Sequence, residues 1–510
     1  MTDHQRVPGA EQGRSDPGLT MGGDSAVGRR VIGGAAWMMG MRLALRGAGV
    51  INVAVLARVL VPADFGLIAI VMSLLVLPRM LVDTVTRAPL VRLNSVTPAH
   101  FAAARRLRVG LALALGAIVW LSAPALADFY QVAALEAGLM AIAAVVVLEG
   151  LENPGVVSLQ RDMRWRRDAA FEVAVGAARI AATIALTLWL RSFWGVILGA
   201  LVAAMVRVGL SYALAPRPAG AVTRSLFRAL WGVSRWSLGE VLADMASGRS
   251  DRLLLGRLAG VAPMGLFSLA KDLALVPHQL LIMPVGRALL PGLRQARGHD
   301  PARRGRLFSL ALGSFGALAV PSAVGAALVA DPFVRALLGD DYAGAVPVLV
   351  ALAPALAFEG LSSAATQIMV VEGRLATVTG IKVARLLGYV ALLLPAFHGA
   401  GLVGVALAKS GMDAFVTLAL LVVLAIRMPV DWRHLGAALA RTALAATGMA
   451  ATVLALMPLV AGWTNVSALQ LLMLVPAGAM AYGAGLLGIW WLTGRPDGLE
   501  ARILAVLARS

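Results

Sequence analysis

Residues 56–90, LARVLVPADFGLIAIVMSLLVLPRMLVDTVTRAPL, indicate the fold class of this chain. After a short turn over 58–65, residues 66–90 form an apolar run that can cross a bilayer, since one spanning helix needs about 20 apolar residues. Similar runs recur along the chain, in which 59% of the 510 residues are hydrophobic and the mean hydropathy is +0.82. A soluble domain could not keep so much apolar surface out of water, so the sequence predicts an all-α integral membrane protein.

The apolar runs predict fourteen membrane helices joined by short loops. In order they cover 33–57, 66–90, 107–127, 132–155, 170–190, 194–214, 226–250, 262–288, 307–330, 344–370, 376–397, 402–426, 435–461 and 466–492. The connections after odd-numbered helices carry few basic residues, whereas those after even-numbered helices are basic, as at Arg105, Arg106 and Arg108. Basic loops stay in the cytoplasm, so both termini are predicted to be cytoplasmic.

A shift of 199 residues aligns the sequence with itself without a gap. The identities include tryptophan, arginine, glycine and proline pairs: Trp37 and Trp236, Arg58 and Arg257, Gly66 and Gly265, Pro78 and Pro277. Six predicted helices separate the copies, and an even number preserves orientation, so two parallel six-helix lobes with a substrate site between them are expected. The predicted parts are a disordered cytoplasmic tail (1–30), an N-lobe (31–218), a C-lobe (219–428), two further helices (429–493) and a cytoplasmic C-terminal tail (494–510).

Five stretches together carry a family resemblance. They are LARVLVPADFGLIAI at 56–70, PLVRLNSVTPAHFAAARRLRVGLAL at 89–113, SAPALADFYQ at 122–131, SLQRDMRWRRDAAFE at 158–172 and SDRLLLGRLAGVAPMGLFSLA at 250–270. In this order and spacing they resemble polysaccharide transporters of the multidrug/oligosaccharidyl-lipid/polysaccharide flippase superfamily. One segment departs from that family: MLVDTVTRAPLV at 80–91 is more charged than its usual apolar, glycine-rich counterpart.

The resemblance implies a function and partners. It implies a fourteen-helix flippase of the bacterial inner membrane that translocates lipid-linked oligosaccharide in O-antigen, capsule or exopolysaccharide assembly. The implied partners are an oligosaccharide on undecaprenyl diphosphate, membrane lipids and the polysaccharide polymerase machinery. Nucleic acid is not expected, because the net charge of +18 is explained by the basic cytoplasmic loops.

Charged residues inside the predicted spans are the candidate site, since each costs at least about 2.5–3.5 kcal/mol at bilayer depth. The densest cluster lies on helices 1, 2, 7 and 8, which the two lobes would bring together at a central cavity. Guanidinium groups bind phosphate with paired hydrogen bonds, so the cations there are predicted to bind substrate: Arg42, Arg46, Arg79, Arg87, Arg235 and Lys271. The acidic residues are candidates for ion coupling or gating: Asp83, Glu240, Asp244 and Asp272.

Other interpretations stay open at this stage. The intramembrane charges could instead only pair across the lobes, Arg42 and Arg46 with Glu240 and Asp244. Pro78 and Pro277 are hypothesised to be matched hinges, because proline removes an intrahelical hydrogen bond. A multidrug/cation antiporter of the same fold would favour an acidic cavity, and a membrane polysaccharide polymerase or ligase would need a larger outward loop.

The composition excludes several kinds of chemistry. The chain has no cysteine, which removes disulfides and thiolate sites, and its six histidines show no ligand spacing. There is no phosphate-binding loop with a Walker lysine, so ATP is not the direct energy source. We therefore expect a protein that is not an enzyme and needs no cofactor or metal.

Overall fold

The computed structural model describes residues 40–41, 44–93, 95–215, 218–286, 293 and 300–495. Within its helices the side chains at 233, 235–237, 239–240, 242–250, 253 and 301 are outside the description. Every regular element in the described ranges is helical, and eleven of these helices are long and apolar enough to cross a membrane. The chain is therefore an all-α, multi-pass membrane protein, as predicted.

The helices are, in chain order, α1 (Ala44–Ala57), α2 (Pro62–Arg92), α3 (Pro98–Tyr130), α4 (Ala133–Gly150), α5 (Val157–Arg161), α6 (Trp165–Leu190), α7 (Trp194–Leu214), α8 (Arg224–Leu258), α9 (Val261–Gly286), α10 (Pro301–Leu328), α11 (Ala330–Leu337), α12 (Ala345–Val371), α13 (Leu375–Arg427), α14 (Trp432–Trp463) and α15 (Ser467–Leu492). Proline occupies the first turn of α2, α3 and α10, where a backbone N–H would have no helical partner.

The longest helix is two helices joined by a sharp break. Within α13, Ala400 and Gly401 have non-helical backbone angles, and Gly401 has φ +57° and ψ −137°, which suits glycine. A methyl group on Gly404 would overlap the carbonyl oxygen of Ala396, so the two halves turn back closely on each other. The break falls between the predicted helices 376–397 and 402–426. The total of fourteen spans stays a prediction, because α1 is short and α8 is strongly charged.

The helices pack in two groups. The first group, α2–α7, is held by contacts of α3 with α4, α6 with α7, and α4 with α2 and α7. The second group, α8–α15, is held by contacts of α12 with α9, α10 and α13, and of α14 with α10 and α15. The groups meet where α2 packs against α8 and α9. These are three of the four helices that the repeat predicts to lie at the centre.

The contact between α2 and α9 is reciprocal. A methyl group added to Gly66 would overlap the carbonyl oxygen of Val261, and one added to Gly265 would overlap that of Pro62. Gly66 and Gly265 are repeat-related at the 199-residue shift, and so are Pro62 and Val261. Each helix therefore presents the same glycine surface to the first turn of the other, as at a twofold interface.

Side chains beside the α2–α9 contact close this end of the bundle. The buried Tyr342 hydroxyl donates to the Leu60 carbonyl oxygen at 2.5 Å, and its ring meets Phe65 edge-on at 5.7 Å. Burial, and then the charges of Asp64 and Asp341, raise the pKa of Tyr342, so the phenol stays a neutral donor. Arg58 donates to the Ala336 carbonyl oxygen at 2.8 Å, which ties the α1–α2 turn to α11.

The two candidate hinge prolines differ in their local structure. Pro78 is buried within the continuous helix α2. Pro277 directly precedes a π-helical turn over His278–Ile282 within α9. A π turn has irregular hydrogen bonding, and such turns occur often at functional sites. The pair is related by sequence but not by conformation, and its role as hinges stays a proposal.

Gly66→Ala is expected to destabilise the protein by about 1–3 kcal/mol, because the new methyl group forces α2 away from the backbone of α9. Gly209→Ala, in α7, is the matched control, because nothing lies within 4 Å of the methyl group it adds and alanine favours helix. Thermal unfolding in detergent followed by tryptophan fluorescence measures both. Equal midpoints for the two variants would show that the α2–α9 contact is not close-packed.

Candidate substrate cavity and charged clusters

Buried arginines and carboxylates join the helices of the first group. Arg108 on α3 pairs at 2.7 Å with Asp83 of α2 and at 2.7 Å with Glu152, which follows α4. Arg207 on α7 pairs with Glu172 of α6 at 2.8 Å and with Glu152 at 3.5 Å. We name these five residues the Arg108 cluster. Its charges are almost fully paired, which offsets the cost of placing them at membrane depth.

Two of the predicted substrate residues lie at the edge of this cluster. Arg79 lies 3.4 Å from Glu149, and Arg87 lies 3.7 Å from Glu172. Their partners belong to the first group. Asp83, a predicted coupling residue, is a partner of Arg108.

The structure describes only some of the residues in the alternative pairing of arginines across the lobes. Arg46 donates to the Gln279 carbonyl oxygen at 2.8 Å and contacts the sulfur of Met283. These partners lie on α9; the alternative pairing with Glu240 and Asp244 stays a prediction, because their side chains lie outside the described residues. Arg42 lies outside the described residues, and so do the side chains of Arg235, Glu240 and Asp244.

The second group carries its own paired charges. Lys271 on α9 is buried against Asp251 of α8, and Asp272 accepts from Arg252 at 2.5 Å. In α13, Asp413 pairs with Arg385 at 2.8 Å and with Lys409 at 2.7 Å. Thus Lys271, a predicted substrate residue, has an acidic partner inside the second group.

A cavity of about 650 Å³ lies between α1 and α9, with α6 at one side. Its lining is mostly apolar, with Val50 and Val53 from α1 and Leu269, Leu273 and Val276 from α9. Among the described residues, the charged ones that line it are Arg46, Arg179 and Asp272. The volume suits a sizeable ligand, and the lining suits one with an apolar body and an anionic end.

Arg179 did not enter the predicted site, although it is an arginine within a predicted span. The prediction relied on the repeat-related predicted helices 1, 2, 7 and 8. Arg179 lies on predicted helix 5, which is α6 in the structure. The signal that could have identified it is its intramembrane position, which has a cost wherever it occurs. Its nearness to the cavity depends on how α6 packs against α1, which the repeat does not specify.

The fold and the paired charges define a class of protein: an all-α, multi-pass membrane protein with a cavity between α1 and α9. A protein-family model described as "Polysaccharide biosynthesis protein" matches residues 55–347, more than half of the chain. The chain belongs to this family of polysaccharide biosynthesis proteins.

Two curated relatives are similar in sequence. The succinoglycan biosynthesis transport protein ExoT of Rhizobium meliloti (strain 1021) is 28% identical over 324 residues, 62% of this chain and 64% of ExoT. The lipopolysaccharide biosynthesis protein WzxC of Escherichia coli (strain K12) is 22% identical over 333 residues, 63% of this chain and 65% of WzxC. The chain thus spans slightly less than two thirds of the length of these relatives.

Two solved structures share the fold. The lipid II flippase MurJ in an inward closed conformation matches with a TM-score of 0.72 and 13% identity, over 89% of this chain and 99% of MurJ. An inward-facing multidrug resistance MATE family transporter matches with a TM-score of 0.56 and 16% identity, over 74% of this chain and 92% of its own. At these identities the likeness shows the fold alone.

Arg108→Gln is expected to destabilise the protein by about 3–5 kcal/mol, because Asp83 and Glu152 would lose their shared cation in a buried site. Arg164→Gln is the control: Arg164 is exposed and lies 3.9 Å from Asp162, so its loss should have no measurable effect. The midpoint of thermal unfolding in detergent distinguishes the two. An Arg108→Gln protein as stable as the control would contradict a structural role for the cluster.

Proposed function

We propose that this protein translocates lipid-linked oligosaccharide repeat units across the bacterial inner membrane by alternating access, as a transporter and not an enzyme. The observation that carries the proposal is the α1–α9 cavity, in which an apolar lining meets two arginines. Membership of the polysaccharide biosynthesis family supports the same substrate class, as does the similarity to ExoT, a succinoglycan biosynthesis transport protein, and to WzxC, a lipopolysaccharide biosynthesis protein.

The substrate proposed is of the undecaprenyl diphosphate type. Its two phosphates need cationic donors, and Arg46 faces the cavity for that purpose. Arg79, Arg87 and Lys271 could contribute only by exchanging their carboxylate partners for the substrate. Such an exchange would release Glu149, Glu172 and Asp251 and so couple binding to movement. Asp83 and Asp272 keep the coupling or gating role predicted for them. Arg42, Arg235, Glu240 and Asp244 keep the roles predicted for them.

The proposed motion is a rocking of the N-lobe (31–218) against the C-lobe (219–428). With both termini in the cytoplasm, the turn between α1 and α2 faces outward, and the glycine contact of α2 with α9 closes the outer end. Opening outward would part Gly66 from Val261 and Gly265 from Pro62. The π turn after Pro277 gives α9 a place to bend. The released oligosaccharide would then be consumed by polymerase machinery outside.

A cation antiporter of the same fold is the alternative that most needs a test. Its substrates would favour acidic cavity walls, whereas the α1–α9 cavity has two arginines and one aspartate among its lining residues. The aspartate is paired with Arg252. The electrostatic character of the cavity therefore favours an anionic substrate.

Arg46→Gln is expected to lower translocation at least tenfold, because it removes a cavity-facing guanidinium. Proteoliposomes loaded with a lipid-linked oligosaccharide report translocation through access of an external glycosidase to the sugar. Arg191→Gln, at the exposed end of α6, removes the same charge away from the cavity and should match the wild type.

Two results would refute the proposal. One is wild-type translocation by Arg46→Gln together with Arg42→Gln and Arg79→Gln. The other is no translocation of lipid-linked sugar by the wild type, combined with protection of cells against toxic cations, which would indicate the antiporter.

A further inference from the structure

We propose that Arg179 on α6 binds the phosphate-bearing end of the substrate, together with Arg46. The identity of the substrate in this assignment rests on the proposed function. The chemistry of the site does not. The ligand group in question is a phosphate or diphosphate anion.

Arg179 differs from the arginines around it in having no partner. Four arginines of the first group pair with four carboxylates. Arg79 pairs with Glu149 and Arg87 with Glu172. Arg108 pairs with Asp83 and Glu152, and Arg207 with Glu152 and Glu172. Within the part of the chain that the structure describes, Arg179 makes no ion pair or hydrogen bond. Among the arginines that lie within the predicted spans of the first group, it is therefore the one without a carboxylate partner in the described part of the chain.

The environment of Arg179 does not neutralise it. Among the described residues, the charges that act on it are Arg79, which has the same sign, and Glu149, which already pairs with Arg79. The residue is exposed within the structure and is one of the residues that line the α1–α9 cavity. A guanidinium with five N–H donors facing a cavity needs acceptors, which water or a bound ligand can provide there.

The packing of α6 against α1 brings Arg179 to the same cavity as Arg46. A methyl group on Gly176 would lie 2.9 Å from a terminal carbon of Leu45, so the two helices touch closely at this point. Residues three apart share a helix face, which places Arg179 one turn beyond the contact. Arg46 is the neighbour of Leu45. Two arginines on different helices thus line one cavity, a suitable arrangement for the two phosphates of a diphosphate.

The test uses the full chain in lipid nanodiscs and two probes, inorganic pyrophosphate and undecaprenyl diphosphate. Arg179→Gln is expected to weaken binding of undecaprenyl diphosphate at least tenfold, Arg179→Lys to weaken it less, and Arg191→Gln to leave it unchanged. Lysine keeps the charge but loses the paired hydrogen bonds, so an intermediate affinity supports contact with the anion. An unchanged dissociation constant in Arg179→Gln overturns the assignment.

A stability measurement separates binding from a structural role. Because Arg179 has no partner, Arg179→Gln should not lower the unfolding midpoint, whereas Arg79→Gln should lower it by leaving Glu149 unpaired. An equal loss of stability in both variants would make Arg179 a structural residue and reject the proposal.

The two probes and a transport assay separate this inference from the proposed function. Tighter binding of undecaprenyl diphosphate than of pyrophosphate, lost in Arg179→Gln, supports a lipid head group. Equal binding of both probes, lost in the variant, supports Arg179 as a site for the anion alone and contradicts the proposed substrate. Translocation by the wild type together with full binding by Arg179→Gln leaves the function standing and refutes the site.

Discussion

The close approach of α2 and α9 is the contact on which the rest of the arrangement depends. Only glycine at 66 and 265 allows each helix to lie against the backbone of the other. Because the two glycines are repeat-related, a single packing solution is used twice, once from each side. A core that includes Leu56, Phe65 and Tyr342 surrounds the contact, and the cavity lies beyond it between α1 and α9.

The forces within each helix group differ from the forces between the groups. The ion pairs described above, such as Arg108 with Glu152 or Lys271 with Asp251, each join residues of one group. Among the described residues, the interactions between the groups are close packing, the contact of Arg257 with the Phe129 ring, and single hydrogen bonds to carbonyl oxygens, as from Tyr342 to Leu60. Separating paired charges at membrane depth would be costly, whereas parting such contacts is not. This difference supports the proposed rocking of one group against the other.

Much of this fold can be read from the sequence. Apolar runs of sufficient length gave the membrane helices, and the boundary near 397–402 coincides with the break at Gly401. The 199-residue shift relates Gly66 to Gly265 from the sequence alone, without information on the contacts of either residue. The length of an apolar run and the presence of a repeat are properties of the sequence itself, so they can be read without knowing how the helices pack.

The charge partners could not be read in the same way. Arg79 and Arg87 were grouped by spacing on one helix, but their partners Glu149 and Glu172 lie on other helices. The lack of a partner for Arg179 among the described residues could not be read from the sequence either, because pairing depends on how α6 lies against its neighbours. The π turn after Pro277 likewise has no counterpart at Pro78, although the sequence relates the two.

The movement of α2 relative to α9 can be measured directly because the chain has no cysteine. Spin labels on Val61→Cys and Leu258→Cys, both exposed positions beside the contact, report their separation by double electron–electron resonance. The account predicts one short distance in nanodiscs alone and an added longer distance with lipid-linked oligosaccharide. A single unchanged distance in preparations that translocate the substrate would contradict it.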